Sequence, residues 1–202
     1  MAKQPVLTAA SLRRAQKHLR EACPTMRELI LRHGKCGIDL DGFEPFQTLV
    51  RSIISQQLSA KAADTIGERI EALVPGFTPG RFLRADPDAL RGAGLSASKI
   101  RYIRELAQRV VKRRIDFEAM RSMPDGAVLA LLTEVPGIGR WTAEMFLIFG
   151  LKRPNILSLG DAGLQRSVKL LLGDAASLEE AAKSWEPYVS VASWYLWKNL
   201  DA

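Results

Sequence analysis

Apolar residues at positions 46, 49, 50, 53, 54 and 58 recur at three- and four-residue intervals, which places them on one face of a long helix. The same period continues elsewhere. Ala63, Ile66, Ile70 and Leu73 form a stripe on a second helix over about residues 59–73, and Ile100, Ile103, Leu106, Ala107, Val110 and Val111 form one on a helix that starts at Ser96 or Ser98. Alternating β-branched runs, the mark of a half-buried strand, are almost absent. The chain is therefore expected to be all-α.

Prolines, glycines and capping residues divide the rest. A polar opening helix over residues 11–32 is interrupted near Pro24, and residues 34–42 read as a loop. Thr78-Pro79 and Asp86-Pro87 each set a capping side chain before a proline suited to the first helical position, so two short helices follow the break at residues 75–80. Gly92 and Gly94 stop the second of them. A short helix is expected over residues 124–132 and another over 140–149. Residues 152–160 connect to Asp161, which sits at the N-cap of a helix reaching Leu172. Ser177 and Glu180 form a capping box for the next helix, and Pro187 precedes an aromatic end at Trp194, Tyr195 and Trp197. With 202 residues, 47% hydrophobic and 25% charged, the chain can bury one sizeable core or two small lobes, and disorder is not expected.

Charge and cysteine usage narrow the function classes. Lys plus Arg number 29 against 22 Asp plus Glu, and the resulting +7 favours a polyanionic partner. On the helix after Ser98 one face carries Lys99, Arg101, Arg104, Arg109, Lys112, Arg113 and Arg114 against Glu105 alone, either a solvated face or a phosphate-neutralising one. No apolar run approaches the roughly 18 residues of a membrane span, and residues 1–20 lack the apolar centre of a signal peptide, so a soluble intracellular protein is expected. Cys23 and Cys36 are too far apart for a redox pair and too few for a four-cysteine centre; with His18 and His33 they read as reduced thiols and packing residues rather than metal ligands.

The turn Val135-Pro136-Gly137-Ile138-Gly139 lies between two helical stretches. Two glycines flanking an apolar residue let the backbone turn sharply, direct amides outward and plant Ile138 in the core. Successive N–H groups at the start of the following helix, with the positive end of its dipole, can hold a phosphate. Any tight turn between helices could use the same tetrapeptide.

Three stretches together carry a resemblance. Residues 132–146 (LTEVPGIGRWTAEMF) resemble the helix-hairpin-helix signature of DNA glycosylases that follow it with a glycine/proline-rich loop and an aspartate, and within them the DNA-3-methyladenine glycosylase II branch. Residues 49–63 (LVRSIISQQLSAKAA) and 185–197 (WEPYVSVASWYLW) agree with it, and Asp161 falls where that family carries its catalytic aspartate. The resemblance implies a two-lobed helix-hairpin-helix glycosylase fold without an N-terminal β domain. Residues 1–42 would pack with the C-terminal lobe, 43–120 would form a central helical lobe, and 121–202 the hairpin and C-terminal helices, with a cleft between lobes.

It also implies an activity: hydrolytic excision of alkylated purines such as 3-methyladenine and 7-methylguanine, by flipping the nucleotide out of the duplex. Asp161 would stabilise the positive sugar left by bond breaking and orient water. Bifunctional relatives place a lysine where this chain has Trp141, so no Schiff base forms and the product is an abasic site. Trp141, Trp197 and Met145 would line the base pocket, where indole faces attract a cationic base; taken singly, aromatics on helices are ordinary core. Gly137, Ile138, Gly139, Arg140 and Thr142 would hold DNA, and Gln57, flanked by Gln56 and Leu58, would enter the base stack. No cofactor is implied; a monovalent cation at the hairpin carbonyls is. The partner would be double-stranded DNA with alkylated bases, with no membrane, for a monomer in the bacterial cytoplasm at the nucleoid or in a eukaryotic nucleus.

The chain departs from the pattern in places. Gly160 stands where the family often has a second acidic residue before the catalytic one, Met145 and Ala162 replace aromatics, and Val189 replaces a common basic residue. Two alternatives remain: a non-catalytic hairpin module that senses bent or lesioned DNA, and a glycosylase for oxidised, deaminated or mismatched bases, whose neutral leaving groups would need more acid assistance than the sequence identifies.

Overall fold

The structure is a computed structural model and describes residues 4–200; the outermost positions of the expected segments, 1–3 and 201–202, lie outside these. In chain order the helices are α1 (Ala9–Ala22), α2 (Pro24–His33), α3 (Pro45–Ser55), α4 (Ala60–Leu73), α5 (Pro79–Arg84), α6 (Pro87–Gly92) and α7 (Ala97–Val111). Then follow α8 (Phe117–Met120), α9 (Asp125–Thr133), α10 (Arg140–Met145), α11 (Ala162–Leu172), α12 (Leu178–Lys183) and α13 (Val189–Leu200). A 3-10 turn (Pro75–Phe77) and a π-helical segment (Phe146–Gly150) complete the regular structure, and no strand occurs among the described residues.

Two compact units divide these elements. The first is built from Phe43–Phe146, α3 to α10. Its core gathers the apolar face of α3, where Phe46, Leu49, Val50, Ile53 and Ile54 are buried, with Phe77 and Phe82 packed edge to face at 5.6 Å. Against this α7 buries Ile100, Ile103, Leu106 and Ala107. The second unit takes Pro5–Gly42 together with the described residues from Leu147. There α13 packs on α2 and α11, burying Tyr195 and Leu196, and the Tyr195 hydroxyl donates to Gly34 O at 2.8 Å while accepting from Gln16. The chain passes from one unit to the other inside the π-helical segment, so the glycine hairpin and α10 belong to the first.

Most helix limits follow from local chemistry. Ser96, Ser59, Asp86 and Asp161 cap α7, α4, α6 and α11 through their side chains. Several expectations are corrected. The opening helix starts two residues early, because Thr8 and Ser11 form a reciprocal capping box, and a full break at Cys23 divides it before Pro24. Thr78 occupies the N-cap of α5 without a side-chain bond, and Ser177 makes only its half of the box at α12. The helix over residues 46–58 ends at Ser55, leaving Leu58 38% exposed, and Leu73 is 48% exposed because Gly67 and Ile70, followed by the C-cap Val74, make the buried side of α4. The basic face of α7 is not wholly solvated: Lys99 donates to the carbonyls of Ile54 and Gln56, Arg104 to those of Leu83 and Ala85, and Arg109 pairs with Glu105.

Candidate active site

In the first unit the hairpin is held from behind. Gly137 lies at φ 86°, in the left-handed region, and a Cβ on it would fall 2.2 Å from the ring of Tyr102 on α7. Glycine at 137 is thus required twice, by backbone and by packing. Ile138 is buried, and its N–H donates to Val135 O at 3.0 Å, closing the turn. Gly139 differs. It is exposed, its φ of −83° suits any residue, and a Cβ there would meet nothing within 4 Å among the described residues.

Beyond the hairpin, Arg140 is exposed and its Nε donates to the buried Glu144 at 2.8 Å. Trp141 is 45% exposed. Thr142 and Met145 are both buried.

The turn after α3 comes to the same place. Gln56 donates from Nε2 to Gly137 O at 2.8 Å, joining residues 81 positions apart, so this side chain is engaged inside the unit. Gln57 is exposed and has φ 59°, and Leu58 beside it is partly exposed. Of the three residues expected at the wedge, Gln57 and Leu58 form the tip and Gln56 ties it down.

In the second unit Asp161 is buried at 6% exposure, at the N-cap of α11. Its Oδ1 accepts the Leu164 N–H at 2.8 Å and the Trp197 indole N–H at 3.0 Å. Two donors on one oxygen fix the plane of the carboxylate and stand it in the positive end of the helix dipole. Trp197 is itself held by Phe149, centroid to centroid 5.8 Å, tilted by 37°. Gly163 makes room for the pair: a Cβ there would lie 3.1 Å from Oδ1 and 3.3 Å from Trp197.

Tyr102, Gly163, Phe149 and the Gln56–Gly137 bond were not evident from the sequence. Tyr102 interrupts the basic face of α7 three residues after Lys99, and that break in pattern was the one available signal. Among the described residues no group of His, Cys, Asp and Glu is arranged to hold a metal ion. Cys36 is a packed thiol, which burial pushes up to about 11. No helix among the described residues is long and apolar enough to cross a membrane.

Comparison with known proteins supplies the context. Residues 50–187 match the model of the HhH-GPD superfamily base excision DNA repair protein. The chain is 28% identical over 208 residues to DNA-3-methyladenine glycosylase 1 of Schizosaccharomyces pombe, covering 98% of this chain and 90% of that protein. Among solved structures it is similar to a DNA-3-methyladenine glycosidase of Bacillus halodurans, with TM-score 0.78, 40% identity and coverage of 91% and 88% of the two chains. It is also similar to the S. pombe 3-methyladenine DNA glycosylase in complex with abasic DNA, with TM-score 0.82, 29% identity and coverage of 94% and 97%.

Proposed function

The chain belongs to the HhH-GPD superfamily of base excision DNA repair proteins, and from that premise we propose that it is a monofunctional DNA N-glycosylase that excises alkylated purines of the 3-methyladenine and 7-methylguanine type. The observation that carries this reading is the doubly anchored carboxylate of Asp161. N-capping alone needs only the Leu164 N–H; the indole of Trp197 adds to that same oxygen a second bond that a helix end does not require.

The chemistry follows from that carboxylate. Once the nucleotide is flipped out of the duplex, the bond between C1′ and the base nitrogen breaks and its electron pair leaves with the base. An N3- or N7-alkylated purine is cationic before this step and neutral after it, so it departs without a proton from the protein. The positive charge moves to the sugar, where Asp161, already held by its two donors, stabilises it electrostatically. Water adds to C1′ and gives up a proton, for which Asp161 is the base, leaving an abasic site and the free purine. Trp141 has no amine to attack C1′, so strand cleavage is not part of the reaction.

Trp197, bonded to Asp161 in the second unit, is a proposed contact of the flipped base, and an indole face favours a cationic ring. The hairpin backbone is the proposed phosphate grip. Gly139 supports this, because nothing inside the described chain demands glycine there while a phosphate approaching the backbone would. A monovalent cation at the hairpin would share its carbonyls with Gln56, which already donates to Gly137 O, and no step depends on it. The partner is double-stranded DNA bearing alkylated bases, met by a monomer in the compartment that holds the genome, cytoplasm or nucleus.

Incubating the protein with methylated duplex DNA and identifying the bases set free tests the reading. Release of 3-methyladenine or 7-methylguanine is expected, falling by about a hundredfold or more in Asp161→Asn with duplex binding retained. Full activity in that variant would sink the role of Asp161. Salt-sensitive duplex binding with no abasic sites formed would instead identify a non-catalytic sensor.

A further inference from the structure

Helix α3 is poorly terminated by its own sequence. It has no basic residue in its last turn and no glycine after it, and Gln56 leaves the helical conformation at φ −52°, ψ 128°. The carbonyls at such an end lack intrahelical partners and carry the negative end of the dipole. Lys99 supplies what is missing. Its Nζ donates to Ile54 O at 2.7 Å and to Gln56 O at 2.8 Å.

Lys99 is badly placed for its own helix. It sits in the first turn of α7, where Ser96 accepts its backbone N–H and where the dipole disfavours a cation. Its ammonium is also partly stripped of water, which pushes it below the ordinary lysine range. Both costs make sense if the residue serves the end of α3.

One turn further along α7, and on the same face, Tyr102 backs Gly137. Gln56 then joins the two anchored points through its bond to Gly137 O. Lys99, Gln56, Gly137 and Tyr102 thus form one brace between α7, the hairpin and the turn at residues 56–58. Gln57 stands exposed at the tip in a left-handed conformation that a free chain would seldom adopt.

We infer that Lys99 and Gln56 are positioning residues for duplex opening, holding the tip formed by Gln57 and Leu58 in fixed register with the hairpin that grips the strand. The inference rests on the glycosylase reading. Unstacking a base costs a few kcal/mol, and a tip that must order itself during insertion supplies less of that energy.

The test compares single-turnover release of 7-methylguanine from two duplexes, one with the lesion paired with cytosine and one with it opposite an abasic site, where little must be opened. Lys99→Met and Gln56→Leu are expected to slow release from the paired duplex by about tenfold while staying within about threefold of the parent protein on the unpaired one. Lys99→Arg, which keeps a donor at the two carbonyls, is expected to recover most of the rate. Equal rates on the paired duplex, or an equal loss in both contexts, overturn the proposal, the second because it marks a folding or catalytic defect. Release from neither duplex by the parent protein would refute the glycosylase reading itself. Opening is then judged from the fluorescence of 2-aminopurine in the bound duplex, and a Lys99→Met protein that unstacks it as fully as the parent overturns the brace.

Discussion

The indole N–H of Trp197 and the backbone N–H of Leu164 converge on a single oxygen of Asp161, at 3.0 and 2.8 Å. Capping and chemistry are therefore compatible in one side chain, since the cap uses Oδ1 and leaves the carboxylate plane defined. Trp197→Phe keeps an aromatic ring and the cap but removes one donor. A hydrogen bond to a charged group is worth about 1.5–3 kcal/mol, so excision at saturating DNA should fall by about tenfold or more while affinity for an abasic-site duplex holds. Matching single-turnover rates for parent and variant would show that the ring alone matters. The sequence made Asp161 and Trp197 visible as separate candidates. Their bond was not legible, because it joins the start of α11 to the end of α13 and no spacing rule connects the two.

At the scale of elements, the two hairpin glycines answer to different demands. Gly137 is needed by the fold: a methyl group there would meet the Tyr102 ring at 2.2 Å on a backbone at φ 86°. Gly137→Ala should lower stability by about 2–4 kcal/mol, read as an earlier urea midpoint, and weaken DNA binding with it. Gly139 is exposed at an ordinary φ with open space around it. Gly139→Ala should therefore leave the unfolding free energy from urea titration within about 0.5 kcal/mol of the parent and still weaken duplex binding. A Gly139→Ala protein that binds DNA normally would remove the support this residue lends to a phosphate at the hairpin. The motif itself was plain in the sequence, yet the two glycines looked alike there; only Tyr102, 35 positions away, tells them apart.

For the molecule as a whole, the buried groups that should cost stability at alkaline pH lie in the second unit. Burial raises the Cys36 thiol from 9.0 to about 11 and raises the Tyr195 phenol as well, with Cys36 as a further cause. A group raised on folding contributes stability that is present below its unfolded value, here pH 9, and lost as pH climbs through 11. Lys152 works the other way, since burial depresses it and its penalty fades with rising pH. Comparing Cys36→Ser with the parent isolates the thiol: its melting temperature should fall less between pH 9 and 11. Tryptophan fluorescence suits the measurement because Trp185, Trp194 and Trp197 lie in the second unit. Superimposable melting curves would remove Cys36 from the account.

Helical period, the capping serines and aspartates, the glycine turn and the acid at 161 could all be read from the chain, because each depends on residues within about four positions of one another. The tertiary structure decided where α3 stops, that Lys99 completes its end, that Gln56 reaches the hairpin and that an indole holds the aspartate. These pairs lie 36 to 81 residues apart. Whether such residues meet depends on how whole helices pack around a core, which local spacing does not encode.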